Sequence, residues 1–274
     1  MPSAALFLPP RHLSGCFYAA IHRDTRGMGL AGKDRYNHFP ASPLMSVTVL
    51  RHGELFLVPR AYEGPNNGTH RRLTEVSAMP PTHAPTTSWS PNEVEAITIG
   101  FFPDAWLHLG GDAACGEPIP DKLLPPLTEL HTAQDIGARW SSFCDHLGTV
   151  WAQARPDRTP GIRNLSDWAR AVIARAAISR RGASIRSFTR QLKRLSGHSK
   201  QTLAFYAAFE NLHRIRIESG DASLAEIAAD AGYADQSHMG RAVRRATGFS
   251  PAELNRAIDT QEAFWCYRLL GERF

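Results

Sequence analysis

The stretch Leu224–Pro251, LAEIAADAGYADQSHMGRAVRRATGFSP, decides how the C-terminal half of this chain is read. Just before it, Ser223 pairs with Glu226 in an S-x-x-E capping box that opens a helix over Leu224–Ala231. Leu224, Ile227, Ala228 and Ala231 fall on one face of that helix, and the alanines let a second helix come close. Gly232 suits a tight turn, where a positive φ is cheap. Asp235 is a good N-cap for a helix over Gln236–Ala246, with Met239 and Val243 inward and Gln236, Ser237, Arg241 and Arg244 outward. Thr247-Gly248 ends this helix, and Ser250-Pro251 opens the next as N-cap and N1. Two helices joined by a short glycine turn, the second polar and arginine-bearing on its outer side, describe a helix-turn-helix. The second helix of such a motif enters the major groove of DNA.

Upstream the same pattern recurs at an offset of 51 residues: SFTRQLKRLSGHS over Ser187–Ser199 against HMGRAVRRATGFS over His238–Ser250. Arg190 matches Arg241, Arg194 matches Arg245, Gly197 matches Gly248, and Leu203 matches Leu254. The repeat predicts two copies of one supersecondary unit. In the first copy a scaffold helix runs to Ile178, a basic turn spans Ser179–Gly182, and a recognition helix runs from about Ser184 to Leu195. Phe188, Leu192 and Leu195 face in, and Arg186, Thr189, Arg190 and Lys193 face out. One continuous helix over Thr202–Glu218 then joins the copies. It would hold two recognition helices for successive major-groove segments ~34 Å apart.

In the second copy Arg241 is placed to read guanine through O6 and N7, with Gln236 and Ser237 reaching base edges or phosphates. Arg244 and Arg245 sit further along and point to backbone contacts, which position without specifying. His238 is expected at a phosphate or in packing, and Lys193, Arg194 and Lys200 are the phosphate candidates of the first copy.

This constellation resembles the AraC/XylS family of bacterial transcription regulators. Leu224–Pro251 carries the likeness most fully, and the first copy carries it through Arg190, Lys193 and Gly197-His198-Ser199. The first copy departs from the pattern at Arg180–Gly182 and at Lys200, which stands where the second has Pro251. The resemblance covers roughly 90 residues. It implies a bipartite domain on double-stranded operator DNA, with Arg186, Thr189, Arg190, Ser237 and Arg241 facing bases. It also implies a cupin-like barrel in front that binds a small effector or dimerises, with RNA polymerase a further candidate partner. Segments Arg23–Gly27 and Arg35–Pro43 look similar to parts of uncharacterised members of the family and name no effector.

Charge supports the DNA reading. Of 274 residues with a formal net charge of +5, the span 155–256 holds 18 Lys and Arg against 9 Asp and Glu. The span 1–154 holds 11 against 14. One block is therefore basic, and phosphate backbones attract such a block by counterion release. With 43% apolar and 21% charged residues a packed core is expected. Cys16, Cys115, Cys144 and Cys266 form no CxxC pair and fit a reducing cytosol. Neither a signal peptide nor a membrane-length apolar run is read, so the expected location is cytoplasmic.

Residues 1–130 alternate short apolar runs with Gly, Pro and Asn clusters, which predicts a small barrel or sandwich. Over 132–155, Ile136, Trp140, Phe143, Leu147 and Val150 form a helical stripe with heptad rhythm. It serves either a helix packed on its own barrel or a dimerisation helix. The expected architecture is α+β in two domains, 1–155 and 160–274, with a tail at Glu262–Phe274 packing back on one of them. A barrel of this kind can enclose a ligand, with Tyr36, Phe39, Trp89, Phe101 and Phe102 as candidate lining. His38, His52, His70, His83 and His108 form no HxH pair, so no metal is expected. Ser88-Trp89-Ser90 is no nucleophile elbow, and Glu54, Glu63 and Glu75 show no acid-base pairing, so neither catalysis nor a cofactor is expected. Two competing readings stay open: a co-regulator acting by protein contacts, and a metal-independent cupin enzyme with a nucleic-acid-binding tail.

Overall fold

The computed structural model describes residues 3–59, 70–132, 135–156, 161–179, 184–218 and 223–271. Glu63, the Gly64–Gly68 breaker, residues 157–160 of the expected linker and the basic turn at 180–182 lie outside the described residues.

The N-terminal half is built from β1 (Ala4–Phe7), β2 (Phe17–Asp24), β3 (Tyr36–Phe39), β4 (Met45–His52) and β5 (Phe56–Val58). It continues with β6 (Arg71–Arg72), β7 (Val76–Met79), β8 (Thr86–Trp89) and β9 (Glu95–Phe101). They pair antiparallel in two sheets, ordered β1-β2-β9-β4-β7 and β3-β8-β5-β6.

Side chains alternate across a strand, so each sheet has two faces with different work. On the five-stranded sheet the ladders Ile21–Thr98–Thr48 and Ala19–Gly100–Ser46 gather small residues on one face. The intervening ladder Ala20–Ile99–Val47, with Ile97 and Val49 beside it, is fully buried on the other. Burying a Val or Ile side chain stabilises by roughly 1.5–3 kcal/mol, so this second face is the core of the barrel. Three helices cover it: α1 (Pro103–His108), α2 (Leu124–Thr132) and α3 (Ile136–Ala154). Phe101 packs on Trp106 with ring centroids 5.6 Å apart, and Phe17 meets the edge of Trp140 at 5.8 Å.

The heptad-like stripe is used here. Ile136, Trp140, Phe143 and Leu147 all lie in the chain's own core. Of the two uses read for 132–155, the stripe serves the helix packed on its own barrel: α3 is the second arm of a helical hairpin that lays its apolar face there. A stripe already buried within one chain offers no seam to another.

The C-terminal half comprises α4 (Leu165–Ile178), α5 (Ile185–Ser196), α6 (Lys200–Glu218), α7 (Leu224–Asp230), α8 (Gln236–Thr247), α9 (Pro251–Thr260) and α10 (Trp265–Gly271). The barrel core runs on without a break into Trp168 and Val172 of α4, Leu192 of α5, and Leu203 and Tyr206 of α6. A second core joins Leu212 and Ile215, further along α6, to Ile227, Met239, Val243 and Leu254. The first helical copy is thus fused to the barrel, and the second has its own core. Polar groups reinforce the fusion. Trp168 Nε1 donates to Asp104 Oδ1 at 2.7 Å, and Arg175 pairs with the same carboxylate. Asp104 is 2% exposed, and a buried charge of this kind is tolerated only when so paired.

The tail bridges both halves instead of packing on one. Trp265 Nε1 donates to Asn37 Oδ1 at 2.7 Å, and Arg23 pairs with Glu262 at 2.6 Å. Phe264 and Tyr267 meanwhile belong to the core of the second helical copy.

Candidate nucleic-acid interface

The repeat seen in sequence recurs in the capping bonds at both helix ends. At the N-terminus of α5 the Ser184 side chain accepts from the Ser187 amide, and at that of α8 the Asp235 side chain accepts from His238. Both caps satisfy a donor that a helix start would otherwise leave open. The C-caps are Gly197 at φ 74° and Gly248 at φ 78°, left-handed positions that favour glycine. Just before them Ser196 and Thr247, both buried, turn their hydroxyls back to the carbonyls of Leu192 at 2.8 Å and Val243 at 2.9 Å. Within the second motif the turn from α7 to α8 closes through Tyr233, whose amide donates to the Ala228 carbonyl at 2.9 Å.

These caps fix the outward faces of α5 and α8. Arg186, Thr189, Arg190, Lys193, Arg194 and Lys200 are all exposed in the first copy. So are Gln236, Ser237, His238, Arg241, Arg244 and Arg245 in the second. Three of them have local duties. Thr189 donates its hydroxyl to the Ile185 carbonyl at 3.0 Å. His238 meets the Tyr233 ring at 5.3 Å. The Arg245 guanidinium lies 4.3 Å over the Phe205 ring, a cation–π contact that holds it against α6.

One residue on this face escaped the sequence reading. Ile185, the repeat counterpart of Gln236, is 85% exposed at the first turn of α5. Its signal was available as an apolar residue on the polar side of an otherwise amphipathic helix.

The far ends of both recognition helices rest on two loops of the barrel that are bonded to each other through Ser42 and Thr82. Ala41 donates its amide to the Ala246 carbonyl near the end of α8 at 2.7 Å. Past the end of α5, His198 packs between the rings of His83, at 5.1 Å, and Tyr206, at 5.3 Å. Tyr206 in turn donates to the Thr82 carbonyl at 2.7 Å. Burial first, and the neighbouring His83 second, push the His198 pKa down to about 4.

Behind these loops lies a cavity of about 210 Å³. Its walls are the small-residue face of the five-stranded sheet, the inner face of the four-stranded sheet, the segment from Phe39 to Leu44, and one side of α6 and α10. Of the five candidate lining residues only Phe39 borders it. The others are corrected by strand alternation. Tyr36 pairs with Trp89 across β3 and β8, on the opposite face from Phe39 and Thr86. Phe101 points into the helix-covered core, and Phe102 stacks on Trp168 at 5.5 Å. The sequence reading missed Tyr18, Thr48, Glu210 and His213, which do line the space. The alternation of Ser46 and Thr48 with Met45, Val47 and Val49 was the available sign of a hollow face.

Among the described residues, no three His, Cys, Asp or Glu side chains gather as a metal site. No helix among them is long and apolar enough to cross a membrane.

A helix-turn-helix domain model matches residues 178–257. No curated protein matches the chain. Among solved structures, ToxT from Vibrio cholerae is similar at 12% identity, over 80% of this chain and 93% of that one, with a TM-score of 0.39. ToxT from the same organism with a bound unsaturated fatty acid is similar at 12% identity, over 80% and 93%, with a TM-score of 0.38. Its apo K231A variant is similar at 10% identity, over 91% and 95%, with a TM-score of 0.37. The matched span covers both recognition helices and the helix between them, and residues 178–257 form a helix-turn-helix domain of AraC type.

Proposed function

We propose that this protein is a sequence-specific transcription regulator that reads an operator in two major-groove segments and is controlled by a small apolar effector held in the barrel cavity. The observation that carries the DNA half is the matched capping of α5 and α8, which presents two exposed, arginine-bearing faces. Arg186, Arg190, Ser237 and Arg241 read bases in this proposal, with Thr189 and Gln236 beside them. Lys193, Arg194, Lys200, His238 and Arg244 take phosphates. Arg245, held over Phe205, contributes charge more than reach.

The observation that supports effector control is shared wall. The segment from Phe39 to Leu44 borders the cavity and also, through Ala41, holds the end of α8. A ligand that moves this segment would shift one recognition helix against the other, which is a differential contact of the kind ligand control requires.

In-vitro selection from a random duplex library at physiological salt tests the DNA half. Two enriched segments about one helical turn apart support the proposal. Enrichment of a single segment would restrict reading to one motif, and no enrichment would favour a co-regulator acting by protein contacts.

A further inference from the structure

The cavity wall carries chemistry that narrows what it can hold. Its sheet side presents short hydroxyls and apolar groups, with Thr48 and Thr98 bonded to each other at 3.0 Å. Its α6 side presents the carboxylate of Glu210, which is 8% exposed. One Glu210 oxygen accepts from the Tyr18 hydroxyl at 2.6 Å and the other from the Leu165 amide at 2.7 Å. These two bonds hold the carboxyl group in place on the wall. Among the described residues the one imidazole on the wall is His213, whose pKa is pushed down to about 4, by burial first and Arg216 second, so it is neutral near pH 7. Among the described residues, no lysine or arginine lines the space, and no lining residue is exposed.

An anionic head group placed here would lose its water, meet no lysine or arginine among the described lining residues and lie beside the Glu210 carboxyl group. Burying an unpaired ion costs several kcal/mol. An uncharged head group meets hydroxyls able to donate or accept. We infer that the cavity takes an uncharged lipophilic molecule carrying a hydroxyl or carbonyl and rejects molecules headed by a carboxylate. The inference rests on the effector reading above and names the class of effector.

Calorimetric titration of the full chain at pH 7.4 with 1-decanol and with decanoate tests it, since the two share a chain and differ in head-group charge. Decanol is expected to bind roughly a hundredfold more tightly than decanoate, the ratio that an uncompensated charge of a few kcal/mol produces. Equal or tighter binding of decanoate would overturn the inference while leaving effector control standing. Binding of neither would overturn both, with the DNA selection unaffected. Ser46→Leu places the ligand, because a leucine there fills the hollow face. Loss of decanol binding in that variant is expected, and undiminished binding would put the ligand elsewhere and overturn the assignment.

Discussion

The amide of Ala41, in a loop of the barrel, donates to the carbonyl of Ala246, near the end of the second recognition helix, at 2.7 Å. Ala41 also borders the cavity, so a single residue touches both the ligand space and the DNA-binding apparatus. Ala41→Pro removes the donor and leaves a helix-end carbonyl unpaired. The expected cost is about 1 kcal/mol, the net worth of one such bond. Hydrogen exchange at Thr247 and Gly248 should quicken in the variant. Unchanged protection there would mean that α8 is held by its own core and not by the barrel.

Base reading and backbone contact leave different traces in a salt titration. Arg241→Ala should weaken operator binding by ~1–3 kcal/mol and relax preference at one base pair, with little change in salt dependence beyond one charge. Arg244→Ala should weaken all duplexes alike and reduce the slope of log K against log salt by ~1. Binding of Arg241→Ala at the wild-type level would move the recognition helix elsewhere.

Ile185 offers a contact that needs no hydrogen bond. An exposed branched side chain at the start of α5 is suited to the methyl group of a thymine. Ile185→Ala should cost about 1 kcal/mol of operator affinity, near the worth of one buried methyl group, and leave the melting temperature unchanged because the residue is already in water. Replacing operator thymines one at a time by deoxyuridine should reproduce that loss at one position, and the loss should vanish in the variant. If no thymine position behaves this way, Ile185 does not read the base.

Much of this was legible in the sequence, for physical reasons that differ by region. Both helix-turn-helix motifs announce themselves through local chemistry: Asp235 and Ser184 as caps, Gly197 and Gly248 at left-handed positions, and the 51-residue repeat that links them. Those signals act within one helical turn, so a linear reading captures them. The cavity is different, because its walls come from residues as distant as Tyr18 and Tyr267. Aromatic character suggested Phe101 as lining, but strand register decides the face, and register depends on partners that the sequence does not pair in advance. The stripe on α3 was visible and its destination was not, since a heptad seam serves a neighbour or its own core equally well.

Two histidines whose pKa values are depressed by desolvation make stability depend on pH in a definite window. His198 and His213 both have folded pKa values pushed down to about 4, whereas an unfolded histidine titrates near 6.5. Each is therefore held neutral in the fold. Above pH ~6.5 both states are neutral and the full stability is present; as pH falls from there toward 4, the unfolded chain gains protons that the folded one refuses. At about 1.4 kcal/mol per pKa unit, each histidine withdraws up to roughly 3 kcal/mol across that interval. The carboxylates of Glu226 and Glu253, lowered by their capping bonds to Ser223 and Ser250, act only at lower pH, whereas His108, also lowered by burial, adds to the decline inside the window. Urea denaturation between pH 7.5 and 4.5 should show this decline. His198→Phe, which keeps the ring contact with Tyr206 and removes the titrating group, should flatten the share that His198 carries and leave the shares of His213 and His108. A decline of undiminished steepness in that variant would assign the pH dependence to other groups.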